Sequence, residues 1–291
     1  MLARGVLGDA WGGPYEGRAG PVDFQVPERA AISDDSQLTL ATCESIIESG
    51  CVEPQSIARH MARCFAAGLV RGTGSSTLKA LRDLAIGTHW ALAGARGEYS
   101  AGNGAAMRIV PLAFLLNPDD SQDRVVIRDV CRITHHNDEA YAGALAVTIA
   151  IRQALLNRWS PPRTFLQAVL GGLPDSAVRD RVAELVSRGS SPRQAALQFG
   201  ATGYVVDSVP LALCCAQEIA RRPLQMVLAE AIALGGNTDT VASIAGQLAG
   251  AVAGVEQVPG EFVATIERSQ YIVTVVDAFA EFVGESASGS P

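Results

Sequence analysis

Gly235-Gly236-Asn237-Thr238-Asp239-Thr240-Val241-Ala242-Ser243-Ile244-Ala245-Gly246-Gln247-Leu248-Ala249-Gly250-Ala251-Val252-Ala253-Gly254 is the stretch on which the reading of the chain turns. Residues 241–255 are almost wholly apolar and too few to span a bilayer, which takes about 20 residues. Their spacing predicts a helix. Gly246, Gly250 and Gly254 recur at i, i+4 and i+8, which leaves one face of that helix as bare backbone. Glycine lowers helix propensity by about 1 kcal/mol relative to alanine, so the pattern wants a packing reason. Close crossing by a second helix is such a reason and predicts a central position in a bundle. An accident of an Ala/Gly-rich composition is the alternative.

Working outward, apolar residues recur at three- and four-residue spacing over 37–49, 55–70, 76–92, 123–133 and 140–157. The same holds over 177–187, 192–199, 210–221, 224–234 and 262–282. Ser33 or Asp34 precedes the first of these, Pro54 the second, and Ser191-Pro192 opens another, as helix starts require. Alternation of period two is scarce; the β-branched clusters 204–209 and 271–276 are where a strand could hide. The fold expected is all-α. Residues 1–283 read as one compact multi-helix domain and 284–291, small and polar, as a flexible tail. Residues 157–162 are the best candidate hinge.

The 291 residues carry 23 basic and 30 acidic side chains, a formal charge of −7, and 48% are apolar. That composition buries a real core and disfavours nucleic acid as a partner. The six cysteines form no C-x-x-C pair, and Cys214 and Cys215 are adjacent, so no zinc ribbon or redox motif is readable. No signal pattern opens the chain. A soluble, reduced, cytoplasmic protein with no membrane partner is the expectation.

Three loops are dense in small and polar residues. The first runs from Gly8-Asp9-Ala10 to Tyr15-Glu16 and is followed by Ser33-Asp34-Asp35-Ser36; the second is residues 235–240 quoted above. Both supply hard oxygen ligands suited to Mg²⁺, Mn²⁺ or Ca²⁺. Each also reads as a helix cap, by Asp34 with Gln37 or by Asn237 or Thr238. Both starts, however, carry more oxygens than capping needs, and clustered acids repel unless a cation neutralises them. A pair of metal ions between two converging helices is the reading that satisfies both. The third loop, residues 99–108, carries Gly102-Asn103-Gly104 and suits either an anion, through its backbone N–H groups, or a tight turn. Thr134-His135-His136-Asn137-Asp138 offers His135 as a ligand contact, or a polar turn capped by Asn137 or Asp138.

Taken in order, Gly8-Asp9-Ala10-Trp11-Gly12 with Glu16, Ser33-Asp34-Asp35-Ser36-Gln37-Leu38-Thr39-Leu40, Gly102-Asn103-Gly104-Ala105-Ala106-Met107-Arg108, Thr134-His135-His136 and Leu234–Ala242 resemble the ADP-ribosylglycohydrolase family. The resemblance covers about residues 5–254. It implies a compact all-α domain with two Mg²⁺ or Mn²⁺ ions in a central cleft. It also implies hydrolysis of the glycosidic bond joining ADP-ribose to a protein side chain or small-molecule acceptor, with ADP-ribose as product. By the same resemblance Ser33, Asp34, Asp35, Asn237, Asp239 and Thr240 are the metal ligands. Glu16 sits on a loop beside the metals, Ser100, Gly102, Asn103 and Gly104 hold the diphosphate and its ribose, and His135 lines the adenosine side. Glu16 and Asp35 are the candidate catalytic carboxylates; Asp9 is expected to order the Glu16 loop. Two positions depart from the family pattern. Ser33 replaces threonine and keeps the hydroxyl. Asn237 replaces a metal-binding aspartate and removes one negative charge, which leaves open a non-catalytic ADP-ribose binder or a structural helical protein.

Overall fold

In the structure, a computed structural model, residues 1–156, 158, 164–253 and 265–288 are described. Helix α1 (Leu2–Gly12) occupies part of what the sequence reads as a loop, and a 3₁₀ turn at Gly13–Tyr15 follows it. In chain order come α2 (Asp34–Ser49), α3 (Pro54–Ala66), α4 (Ser75–Ala85), α5 (Trp90–Ala93), α6 (Leu112–Leu115), α7 (Ser121–Arg132) and α8 (Asp138–Leu155). They are followed by α9 (Phe165–Leu170), α10 (Ala177–Arg188), α11 (Pro192–Phe199), α12 (Val205–Ala216), α13 (Leu224–Ala233), α14 (Thr238–Ala253) and α15 (Ser269–Ser288). The fold is all-α, as expected. Extended structure among the described residues is confined to a parallel pair, β1 (Ala95–Arg96) with β2 (His135–His136), and two isolated bridges.

The centre is α14, buried from Thr238 to Gly250 and packed on α1, α12, α13 and α8. Its partner on the glycine face is α1, which runs antiparallel to it. Gly5 lies against Gln247, Gly8 against the Ala242 carbonyl, Gly12 against Asp239, and Gly246 and Gly250 against Arg4. Both helices thus present bare backbone, and Arg4 Nη1 donates to the Gly250 carbonyl across the contact (2.7 Å). The glycines at 5, 8 and 12 weaken the helical signal of residues 2–12 in isolation; packing on α14 is what makes that segment a helix. Gly254 and the hinge candidate 157–162, apart from Arg158, lie outside the described residues.

A Cβ added at Gly8 would overlap the Ala242 backbone, whereas one added at Gly13 meets nothing within 4 Å. Gly8→Ala is therefore expected to destabilise the protein by about 1–3 kcal/mol, the range for overpacking, and Gly13→Ala to leave it unchanged. Thermal melts of the two variants beside wild type check this; equal melting temperatures would remove the close crossing.

Two further boundaries differ from the sequence reading. Helix α12 starts at Val205 and carries Pro210 in its interior, five residues before the proline where the pattern places the start. Burial of Val205, Val206 and Val209, with Val205 seated on Gly143 of α8, overrides the β-branched and proline preferences. The second cluster, 271–276, is likewise helical, within α15. That helix also continues through Gly284 to Ser288, so most of the expected flexible tail is helical. Among the described residues no helix is long and apolar enough to cross a membrane. The six cysteines are free thiols.

Candidate active site

The α1–α14 crossing sets the C-terminal half of α1 beside the first turn of α14, and the start of α2 joins them. From these three helices a carboxylate oxygen each of Asp9, Asp35 and Asp239 lies within 4.8 Å of the others, and all three residues are buried. The two acidic stretches 33–35 and 237–240 therefore do meet in space: Thr240 Oγ1 donates to Asp35 Oδ2 (3.1 Å).

Ser33, not Asp34, is the N-cap of α2, its hydroxyl accepting from the Asp35 N–H (3.3 Å). Asp9 completes the cap from another helix. Its carboxylate accepts from the Ser33 N–H (3.1 Å), the Ser33 hydroxyl (2.7 Å) and the Ser36 N–H (3.1 Å). The structure thus corrects the expected role of Asp9: it orders the start of α2 rather than the Glu16 loop, and it belongs to the carboxylate group itself. An acid inside an otherwise apolar segment, between Gly8 and Ala10, is the signal that could have found it, because a buried carboxylate needs donors.

Asn237 stands at the N-cap position of α14, its carbonyl accepting from the Val241 N–H (3.1 Å), but its side chain turns away from the helix start. Its Nδ2 donates to Asp239 Oδ1 (3.0 Å) and Glu16 Oε1 (3.3 Å), and its Oδ1 accepts from Asn103 Nδ2 (2.6 Å). Asn103 Nδ2 reaches Ser208 Oγ as well (3.1 Å), which ties the Gly102–Gly104 loop to α12 and α14 together. The Asn103 backbone N–H is committed to the Gly203 carbonyl (3.1 Å) and so does not face the cavity as an anion donor. Ser100 is buried with its hydroxyl on the Gly97 carbonyl (2.6 Å); it does not line the cavity, and neither does Ser33.

His135 is fixed from two sides. A Cβ on Gly104 would meet its imidazole at 2.9 Å, and one on Gly102 at 3.0 Å, so only glycine lets the loop lie flat on the ring. Behind it, buried Arg108 donates to Thr134 Oγ1 (2.9 Å), Gly104 O (2.6 Å) and Val130 O (3.1 Å). Thr134 Oγ1, which accepts from Arg108, also shares a hydrogen bond with His135 Nδ1 (2.7 Å) and so fixes the plane of the ring. Burial, reinforced by the Arg108 charge, lowers the His135 pKa to about 3, so the ring is neutral. Asn137 caps α8 by accepting from the Glu139 and Ala140 N–H groups, as one reading of that turn expected.

These groups line or underlie one cavity of about 1300 Å³, whose walls include Glu16, Asp34, Asp35, Gly102, His135 and Asp239. Sequence reasoning did not single out Arg193 or Tyr204, which also line it, and had Tyr99 only as the start of the third loop. Electrostatically the floor is overloaded. Burial, then the charge of Asp9, raises Asp34 to about 7; burial, then Glu16 and Asp9, raises Asp239 to about 8. Asp35 is pushed well above the carboxylate range by burial and then by Asp239, Asp9 and Asp34. Burial raises Asp9 too, despite its donors. Among the described residues none of these four acids has a salt-bridge partner, and Asp35 Oδ1 is buried with no hydrogen-bond donor. Hard oxygen donors, an orphaned carboxylate oxygen and uncompensated charge fit a divalent cation.

Fold and site together define an all-α protein with a set of helix-borne carboxylates on the floor of a wide cavity. A family model described as ADP-ribosylglycohydrolase matches residues 1–288, and the chain belongs to that family. It is similar to the ADP-ribosylhydrolase ARH3 of Danio rerio, at 26% identity over 313 residues covering 89% of this chain and 83% of that protein. It is similar also to the ADP-ribosylarginine hydrolase Tri1 of Pseudomonas putida (strain GB-1), at 27% over 250 residues, 82% and 63% of the two chains. Among solved structures, an ADP-ribosylglycohydrolase-related protein complex aligns with a TM-score of 0.74 at 25% identity, over 97% of this chain and 96% of that one.

Proposed function

We infer that the protein hydrolyses the glycosidic bond between ADP-ribose and an acceptor, a protein side chain or a small molecule, in this cavity. The observation that carries the reading is the buried trio Asp9, Asp35 and Asp239 with the unpartnered Asp35 Oδ1. The carboxylates of Asp34, Asp35 and Asp239, with the Thr240 hydroxyl and the Asn237 carboxamide, would hold two divalent cations, Mg²⁺ or Mn²⁺, while Ser33, expected as a ligand, keeps its hydroxyl on Asp9 behind them. Such cations, when bound, orient the ribose hydroxyls and make a bound water more acidic. The remaining work falls to the chain's own groups.

In the reaction the bond from the ribose C1 to the acceptor breaks and its electron pair leaves with the acceptor. A water oxygen bonds to C1, and the proton that water gives up passes to a carboxylate and on to the departing acceptor. Glu16 is an exposed carboxylate on the cavity wall, hydrogen-bonded by Asn237 next to the acidic floor, and takes that proton, with Asp35 as the alternative base. Positive charge that develops on the sugar ring, as in other glycoside hydrolyses, is met by the negative floor. Farther along the cavity, the Gly102–Gly104 loop and the neutral His135 ring would position the diphosphate and adenosine, so that binding energy remote from C1 orients the reacting end.

The test is a panel of ADP-ribosylated acceptors, arginine- and serine-linked peptides and small molecules among them, assayed for free ADP-ribose with Mg²⁺, with Mn²⁺ and with EDTA. Release from at least one acceptor with metal and none with EDTA is expected. Asn237 favours one second reading, because its oxygen already accepts from Asn103 and its amide faces two acids. Calorimetric uptake of ADP-ribose with no release from any acceptor, and turnover gained by Asn237→Asp, would make this chain a binder. No uptake at all would reject both readings.

A further inference from the structure

Away from the cavity, where α2 and α3 pack together, the structure gathers three metal-ligating side chains of a different kind. One carboxylate oxygen of Glu44, one ring nitrogen of His60 and Cys64 Sγ lie within 4.8 Å of one another. His60 and Cys64 stand at i and i+4 on α3 and so share a face, and Glu44 reaches them from α2. None of the three lines the cavity. We propose that Glu44, His60 and Cys64 form a second metal site, for a zinc-class divalent cation, that clamps α2 to α3.

The donor set selects the metal. Imidazole and thiolate with a single carboxylate suit Zn²⁺ or Co²⁺ and give Mg²⁺ nothing it prefers, the reverse of the all-oxygen floor of the cavity. The outer contacts are also in place. Tyr271 on α15 donates its hydroxyl to Glu44 Oε1 (2.8 Å), leaving Oε2 to face His60 Nε2 (3.0 Å). On the other side of the ring, Nδ1 faces Glu48 Oε2 (3.4 Å), which Arg63 holds at 2.6 Å. Carboxylate and hydroxyl partners of this kind orient metal ligands and fix the histidine tautomer. The side chains of His60 and Glu44 are 15% and 25% exposed, so the group is shielded but open to solvent on one side, where a water can complete four ligands. Protons balance as follows: the Cys64 thiol releases one to solvent, and His60, whose Nδ1 accepts from Arg63 (2.8 Å) so that its proton sits on Nε2 facing Glu44, transfers that proton to Nδ1 as Arg63 turns away, which leaves Nδ1–H to donate to Glu48 and frees Nε2 to ligate. The sequence hid this site because H-x₃-C is no metal motif until a second helix brings its glutamate.

The experiment is titration of the metal-stripped full chain with Co²⁺ alone, followed by optical absorption. One equivalent should produce visible ligand-field bands and a near-ultraviolet thiolate-to-cobalt band. Zn²⁺ should bleach them, and a large excess of Mg²⁺ should not. Cys64→Ser should remove the thiolate band, His60→Gln should weaken the bands, and Tyr271→Phe should weaken binding about 10–100-fold. Circular dichroism confirms that each variant is folded. Asp35→Asn, in the cavity, should leave the bands unaltered, which separates this site from the proposed catalytic one. Wild type without a thiolate band, or a band that survives Cys64→Ser, would reduce the cluster to a His–Glu ion pair and overturn the proposal.

Discussion

Asp35→Asn should lower the metal-supported release of ADP-ribose by about a thousandfold or more, the scale on which a positioned catalytic group acts. Asp35 is where the charge, the orphaned oxygen and the geometry coincide: Oδ2 accepts from Thr240, Oδ1 has no donor, and Asp9 and Asp239 stand within 4.8 Å. Asparagine keeps the volume and the Thr240 contact but removes the charge that a cation and a developing positive sugar both require. Calorimetry with Mg²⁺ should show weakened binding in the same variant. A variant that turned over at the wild-type rate would take Asp35, and with it the carboxylate mechanism, out of the reaction.

The same substitution should make the metal-free protein more stable, and increasingly so as pH rises. Asp34, Asp35 and Asp239 all have pKa values raised in the folded state, to about 7 for Asp34 and about 8 for Asp239 against 3.8 unfolded. Between pH 4 and 8 the folded protein therefore binds more protons than the unfolded chain, and stability from these groups is lost as pH rises through that window. Asp34 alone, moved from 3.8 to about 7, corresponds to about 4 kcal/mol. His135 and the amino terminus, lowered by burial to about 3 and about 5, work in the opposite direction. The difference between Asp35→Asn and wild type isolates the cluster from them. In EDTA that difference in melting temperature should grow from pH 5 to pH 8 by about 5 °C or more. Mg²⁺ at a hundredfold over its dissociation constant should give wild type back about 2.7 kcal/mol. A constant difference across pH would mean that the acids are already neutralised within the protein.

The helices were legible because each buries a stripe: the spacing over 37–49, 177–187 and 192–199 reappears in α2, α10 and α11, with no end shifted by more than three residues. So was the central glycine-faced helix. Helix α1 was not, because Gly5, Gly8 and Gly12 weaken its local signal and its stability comes from α14, more than 200 residues away. In the site, Asp34, Asp35 and Asp239 stood out as acids in excess of capping needs. Asp9 did not, since its donors come from Ser33 and Ser36, and the partners of Asn237 are set by Asn103 and Glu16. Periodicity and local charge are properties of neighbouring residues, so the sequence by itself determined the helical class and marked the acidic stretches. Which carboxylates share a floor, which one lacks a donor and which loop lies on His135 depend on contacts between distant helices. Only their packing could decide them.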